Sequence, residues 1–234
     1  MRGFRFFAVA FALAVGSAGA QAALYDLNSD WSNISNPNGV WSLNEGSNAL
    51  PFIASWIHGG PAWARAPGGP GHVPAFFKAQ SAAGGFLSYN DWQAGDIVVH
   101  TTVRFTAPNA GTASIMGDIW KSSRFNRPQD WLLLHNGMTT LAGGSLPSSL
   151  TNGRGARDIF SIGSLALAAG DTLELRVIRN TATPFGDFVG LNFSVDLQSA
   201  TAVPEPATWL MLLSGFGLVG LVHRMRQRVT QAAA

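Results

Sequence analysis

The stretch DWLLLHNGMTTLAG, residues 130–143, decides how this chain folds. Two apolar runs, DWLLLH (130–135) and MTTLAG (138–143), flank the pair Asn136-Gly137. Asn-Gly in that position predicts a hairpin, because a type I′ turn needs positive φ at both central residues. Working outward, IVVHTTVRF (97–105) alternates Val99, Thr101, Val103 and Phe105 with His100, Thr102 and Arg104. This is the period-2 pattern of a half-buried strand. APNAG (107–111) closes it with turn-forming Pro and Gly, and TASIMGDIW (112–120) reads as its antiparallel neighbour. DIFSIGSLAL (158–167) leads through Ala169-Gly170-Asp171 into TLELRVIR (172–179). There Leu173, Leu175 and Val177 share a face, while Glu174, Arg176 and Arg179 point mostly to water. FVGLNFSVDL (188–197) is the last strand. Short strands at steady spacing, with turn signals between them and no convincing amphipathic helix, predict an all-β fold. The expected form is an antiparallel, jelly-roll-like β-sandwich whose closing strand returns to pair near the first.

Residues 24–94 differ. They are rich in Gly, Pro, Asn and Trp, as in NPNGVWS (36–42) and SWIHGGPAWARAPGGPGHVP (55–74), and read as long loops. Of the eight tryptophans, Trp31, Trp41, Trp120 and Trp131 read as core. Trp56, Trp63 and Trp92 lie in or beside the Gly/Pro loops. Indoles exposed on a sandwich rim can stack on sugar rings, since they offer large apolar faces with few rotamers to lose. These three are the candidate ligand-binding residues.

Other chemistry is sparse. There is no cysteine, so disulfides, thiolate metal sites and Cys nucleophiles are excluded. His58 and His72 share a loop without a further ligand at metal-like spacing, and His100 and His135 read as surface or edge positions. Asp26-x-Asn28-x-Asp30 imitates the start of a calcium loop, but Trp31 stands where glycine is required and Pro37 where glutamate is. No metal and no cofactor is expected. No Gly-x-Ser-x-Gly elbow and no acid–base carboxylate pair is visible, with Glu45 and Glu174 the only glutamates of the body. The reading is non-enzymatic.

The termini carry the addressing. MRGFRFFAVAFALAVGSAGAQAA opens with Arg2 and Arg5, continues apolar from Phe6 to Val15, and offers Ala20-Gln21-Ala22 as a cleavage site, with Ala18-Gly19-Ala20 as the alternative. That is the layout of a signal peptide over residues 1–22, leaving residues 23–202 as an extracytoplasmic body. The 234 residues carry 15 Lys and Arg against 13 Asp and Glu. Arg2, Arg5, Arg224, Arg226 and Arg228 belong to the termini, and Leu24 to Val203 holds 10 basic and 12 acidic residues. The formal net charge of −2 across the body removes the support for a nucleic-acid partner.

At the other end, residues 207–222 form a 16-residue apolar stretch interrupted only by Thr208 and Ser214. As a helix it would span ~24 Å, a short membrane crossing, and Arg224, Arg226 and Arg228 behind it mark the cytoplasmic side. Gly215-Phe-Gly217-Leu-Val-Gly220 matches a dinucleotide-loop fingerprint, but no acidic residue follows Glu205, so that reading fails.

Val203-Pro204-Glu205-Pro206, the Trp-bearing apolar stretch and the arginine cluster together resemble the PEP-CTERM sorting signal of Gram-negative exported proteins, over residues 203–228. The resemblance implies that Pro204, Glu205 and Pro206 are recognised by an exosortase-type membrane protease. It also implies that Arg224, Arg226 and Arg228 stop transfer, leaving 229–234 as a cytoplasmic tail. The body would stand in the periplasm, anchored in the inner membrane, until processing releases it to the cell surface or extracellular matrix. More loosely, NPNGVWS, VRFTAPNAGTASIMG, LLLHNG and AAGDTLELRV resemble sandwich modules of such cargo, which look like carbohydrate-binding domains. The expectation is an exported exopolysaccharide-matrix protein that binds polysaccharide through loop aromatics. A purely structural, self-associating matrix protein is the alternative, and a polysaccharide hydrolase using Glu45 or an aspartate comes third.

Overall fold

The computed structural model describes residues 22–56, 60–65, 74–78, 86–89, 100–122, 127–149, 153–179, 187–199, 211–220 and 223–224. The chain divides into two units, residues 21–200 and residues 1–20 with 201–234. The signal peptide, apart from Ala22, falls outside the described residues, as do Pro204, Glu205, Pro206, Arg226 and Arg228.

Residues 21–200 form two antiparallel sheets. The strands are β1 (Ala22–Asp26), β2 (Trp41–Glu45), β3 (Asn48–Ala49), β4 (Phe52–Ile53), β5 (Ala62–Ala64), β6 (Ala75–Lys78), β7 (Phe86–Tyr89), β8 (His100–Thr106), β9 (Gly111–Lys121), β10 (Gln129–His135), β11 (Thr139–Leu146), β12 (Asp158–Leu167), β13 (Thr172–Arg179) and β14 (Phe188–Ser199). The larger sheet runs β12-β9-β14-β7-β6-β5-β4, and the smaller runs β11-β10-β13-β8-β2-β3. β14 pairs with β9 along one edge. Its other edge is shared end to end by β7, at residues 188–191, and β1, at residues 194–198. The last strand thus closes on the first, as expected for a jelly-roll-like sandwich.

The sequence periodicity sets the faces. Odd positions of β14 from Val189 to Leu197 are buried, as are Leu173, Leu175 and Val177 of β13 and Val103 and Phe105 of β8. Strand alternation sends all of these to the space between the sheets. Aromatic pairs bridge that space: Trp41 of β2 meets Phe193 of β14 at 5.3 Å, and Trp131 of β10 meets Phe160 of β12 at 5.5 Å.

The Asn136-Gly137 hairpin forms as predicted, with φ of 52° and 69°. Its turn is tied to the turn before β13. Asn136 N donates to Thr172 O, Thr172 N donates to Asn136 Oδ1, and Asn136 Nδ2 donates to Asp171 Oδ1. The Ala168 N–H, Asn136 and His135 all donate to or face the Asp171 carboxylate, and they hold its pKa below the usual aspartate range. A carboxyl whose folded pKa is lowered stabilises the fold above its unfolded pKa, and that contribution disappears as pH falls through the folded value. Carbon-13 titration of the side-chain carboxyls should therefore find Asp171 protonating below the ordinary aspartate value near 3.9. A midpoint at or above that value would show that the tied turns do not form in solution.

Three sequence expectations are corrected. Residues 112–120 do not pair with residues 100–105 of the expected strand: β8 lies between β13 and β2, and β9 between β12 and β14. Ala107 N donates to Asp171 O while Gly170 N donates to Ala107 O. The connection is therefore held by the neighbouring turn and crosses to the other sheet instead of closing a hairpin. Second, the Gly/Pro-rich segment supplies β1 to β7, short strands that extend both sheets. Third, Glu174 does not face water. It is 5% exposed and clasped by Arg104 and Arg176, whose Nη2 atoms lie 3.0 and 2.6 Å from its oxygens.

Candidate functional site: a polar groove on the outer face of the larger sheet

The register of β9, β12, β14 and β1 assembles the site. Alternation turns Met116 and Asp118 of β9 outward, opposite the buried Ile115 and Ile119. Across the ladder, Asp118 sits beside Ile159 of β12 and Asn192 of β14, while Met116 sits beside Ser194, itself paired with Asp26 of β1. Arg154 and Arg157, from the 3-10 turn at Arg154–Ala156 and the residue after it, reach over from the chain entering β12. Together these residues line a groove of about 270 Å³. That is just under the ~300 Å³ at the small end of ligand-binding clefts.

Asp118 is the hub. Its side chain is 9% exposed; Oδ2 accepts from Arg154 Nε at 2.8 Å and lies 3.1 Å from Arg157 Nε, and Oδ1 accepts from Asn192 Nδ2 at 2.7 Å. Arg157 Nη1 donates to Arg154 O. The guanidinium side chains are 44% and 40% exposed. Apolar surface flanks them, with Met116 54% and Ile159 67% exposed. The groove thus joins exposed apolar side chains to hydrogen-bond donors and acceptors held in place by a buried carboxylate.

Trp120 borders this network. It is 2% exposed, yet it lies on the outer face, against Gly190 and beneath Arg154, whose guanidinium carbon is 5.4 Å from the ring centroid. Trp41 and Trp131 are core residues as expected, and Trp31 packs against that core partly buried.

The tryptophans predicted to bind ligand do not form a platform. Trp56 and Trp63 are 3% and 4% exposed and belong to different clusters. Trp63 enters the inter-sheet core and donates to Ser32 O, while its strand neighbours Ala62 and Ala64 pack on the opposite face with Trp56. Two indoles on opposite faces of one sheet cannot stack on one sugar. Trp92, His58 and His72 lie outside the described residues. In the Asp26–Asp30 segment the carboxylates bind the protein itself: Asp26 Oδ1 accepts from Ser29, and Asp30 Oδ2 accepts from Trp41 Nε1 and Asp26 N. Among the described residues, no group of three or more His, Cys, Asp or Glu is placed to hold a metal.

In the second unit, residues 211–220 are helical, and Met211, Leu212, Leu213, Phe216, Leu218 and Val219 are exposed on that helix. Arg224 is in a further helical pair, 223–224. Among the described residues no helix is long and apolar enough to cross a membrane.

A two-sheet β-sandwich with an open polar groove is the class of protein that this geometry defines. Residues 202–227 match the PEP-CTERM protein-sorting motif, so the chain carries the sorting signal of an exported protein. No curated protein sequence matches it. Similar solved structures include the CBM27-1 module of Caldicellulosiruptor saccharolyticus in complex with mannohexaose, at 8% identity and a TM-score of 0.40 over 78% of this chain and 100% of that one. The K1 cleaved adhesin domain of Lys-gingipain from Porphyromonas gingivalis is similar at 10% identity and a TM-score of 0.38, over 77% and 99%. The CBM22-1 xylan-binding domain of Paenibacillus barcinonensis Xyn10C is similar at 10% identity and 0.34, over 79% and 99%. Likenesses of this size carry no argument about a ligand.

Proposed function

We propose that this is a non-enzymatic, exported surface or matrix protein that binds polysaccharide in the groove between Asp26, Met116, Asp118, Arg154, Arg157, Ile159 and Asn192. The observation that carries the reading is the groove itself. Exposed apolar side chains beside fixed donors and acceptors suit the two kinds of surface on a sugar ring, its C–H face and its hydroxyl edge. Glu45, the glutamate named for a hydrolase, is ion-paired with Arg65. Delivery follows from the tail. The apolar stretch 207–222, which contains the exposed helix at 211–220, serves as a membrane anchor in the inner membrane, with the body in the periplasm. An exosortase-type protease then recognises Pro204, Glu205 and Pro206 and releases the body to the surface or matrix.

A second reading, self-association without a ligand, has one observation in its favour. β11 and β12 end their sheets on the same side of the sandwich, are 8 and 10 residues long, and carry only one charged residue, Asp158. Long, weakly charged edges invite pairing with another chain.

One experiment separates the readings. The full-length protein in detergent is passed over immobilised matrix polysaccharides and sedimented at rising concentration. Retention on a polysaccharide, reduced at least about tenfold when Met116 and Ile159 are both replaced by aspartate, is expected from losing ~1.5 kcal/mol or more of apolar contact. Concentration-dependent assembly without retention on any polymer would replace the first reading by the second.

A further inference from the structure

We infer that the groove selects saccharide units bearing a carboxylate, that is, uronates; this rests on the proposal that the groove is the saccharide site. Two guanidiniums converge there on one carboxylate. Asp118 spends Oδ2 on both Nε atoms and Oδ1 on Asn192. After these bonds and the one from Arg157 Nη1 to Arg154 O, both terminal nitrogens of Arg154 and Nη2 of Arg157 have no hydrogen-bond partner among the described residues. Those N–H groups belong to side chains that are 44% and 40% exposed at the groove. Guanidinium forks match carboxylate geometry, and such charge-assisted bonds are about twice as strong as neutral ones.

The carboxylate that could quench them is spent. Asp118 is nearly buried and shared. Asp26, the other acid lining the groove, stands two strands away from β9, roughly 10 Å at ordinary strand spacing, and its Oδ1 is taken by Ser29. This arrangement is directional. A sugar carboxylate is attracted to the arginine side and repelled from the Asp26 side, where an acceptor suits a hydroxyl. The body's formal net charge of −2 makes the arginine pair a local exception rather than part of a general basic surface. Buried Asp118 is the positioning residue, fixing both forks on a rigid strand.

The test compares the full-length protein's binding to polygalacturonate, alginate and hyaluronate with binding to the carboxyl-reduced form of each, the same backbone without the charge. At least one acidic polymer should bind about ten-fold or more tightly than its reduced partner, as expected for hydrogen bonds to a charged group, and added salt should erode the difference. Arg154→Ala with Arg157→Ala should remove the preference and lower the melting transition, because the nearly buried Asp118 loses both of its cations. If that double variant does not fold, the acid-to-reduced ratio of the wild type alone decides. Equal binding of acidic and reduced polymers overturns the uronate inference and leaves the saccharide site standing. A preference unchanged in the folded double variant overturns its placement in this groove. Retention on no polysaccharide overturns both proposals together.

Discussion

Replacing Gly190 by alanine should destabilise the body by about 3 kcal/mol or more, at or beyond the upper end of the ~1–3 kcal/mol typical of overpacking. A Cβ at this position would lie 2.1, 2.3 and 2.4 Å from Cε2, Cζ2 and Nε1 of Trp120, its partner across the β9–β14 ladder. Real non-bonded carbons stay well over 3 Å apart, so either the indole or the strand must move. The indole is confined, being 2% exposed and covered by Arg154, whose Nε is bonded to Asp118. Displacing it would therefore pull on the groove as well as the ladder. Urea denaturation should show a lowered midpoint for Gly190→Ala. In a Trp120→Ala background the same change should cost little, because the clashing ring is gone. A double-mutant cycle of this kind isolates the pair. A Gly190→Ala midpoint equal to wild type would mean that Trp120 does not lie over Gly190 in solution.

Replacing Glu205 by alanine should slow processing about ten- to a hundred-fold, so that the unprocessed protein accumulates in the membrane fraction. The two flanking prolines have no backbone N–H and favour an extended chain. A protease reading this segment cannot draw amide hydrogen bonds from Pro204 or Pro206, which leaves the carboxylate of Glu205 as the charged group to recognise. Loss of hydrogen bonds to a charged group is worth ~1.5–3 kcal/mol, or about ten- to a hundred-fold in rate. Glu205→Gln should be nearly as slow, because it keeps the shape and removes the charge. Gel mobility and fractionation of membrane against medium give the readout in a host that carries the protease. Normal release of the alanine variant would remove the exosortase step while leaving the groove proposal untouched.

Much of the fold was legible because burial follows period-2 alternation. Residues 158–167 and 172–179 are β12 and β13 to the residue, and Asn136-Gly137 turns where its dipeptide says it must. The partners of each strand were not legible. Asp118 and Asn192 lie 74 residues apart, and nothing local to either says that the ladder sets them side by side. β9 offered a hint: an acidic residue between Ile115 and Trp120 in a strand whose only other charged residue is Lys121 at its end. The pair Arg154 and Arg157 offered another, but neither hint connects to the other without the register. The tryptophans misled for the converse reason. Composition placed Trp56 and Trp63 in loops, whereas short local strands alternate their surroundings so that each indole is buried on a different face.

The amino-acid sequence by itself determined the all-β class, the hairpin at Asn136-Gly137 and the sorting motif at 202–227. Each is written within a few consecutive residues: alternating side chains, positive-φ turn residues, or a contiguous recognition segment. Only the tertiary structure decided that β8 and β9 part into different sheets, that Glu174 is clasped, and that two arginines share Asp118. Those outcomes depend on which strand edge meets which, a choice settled by burying both apolar faces at once and not by any stretch of chain alone.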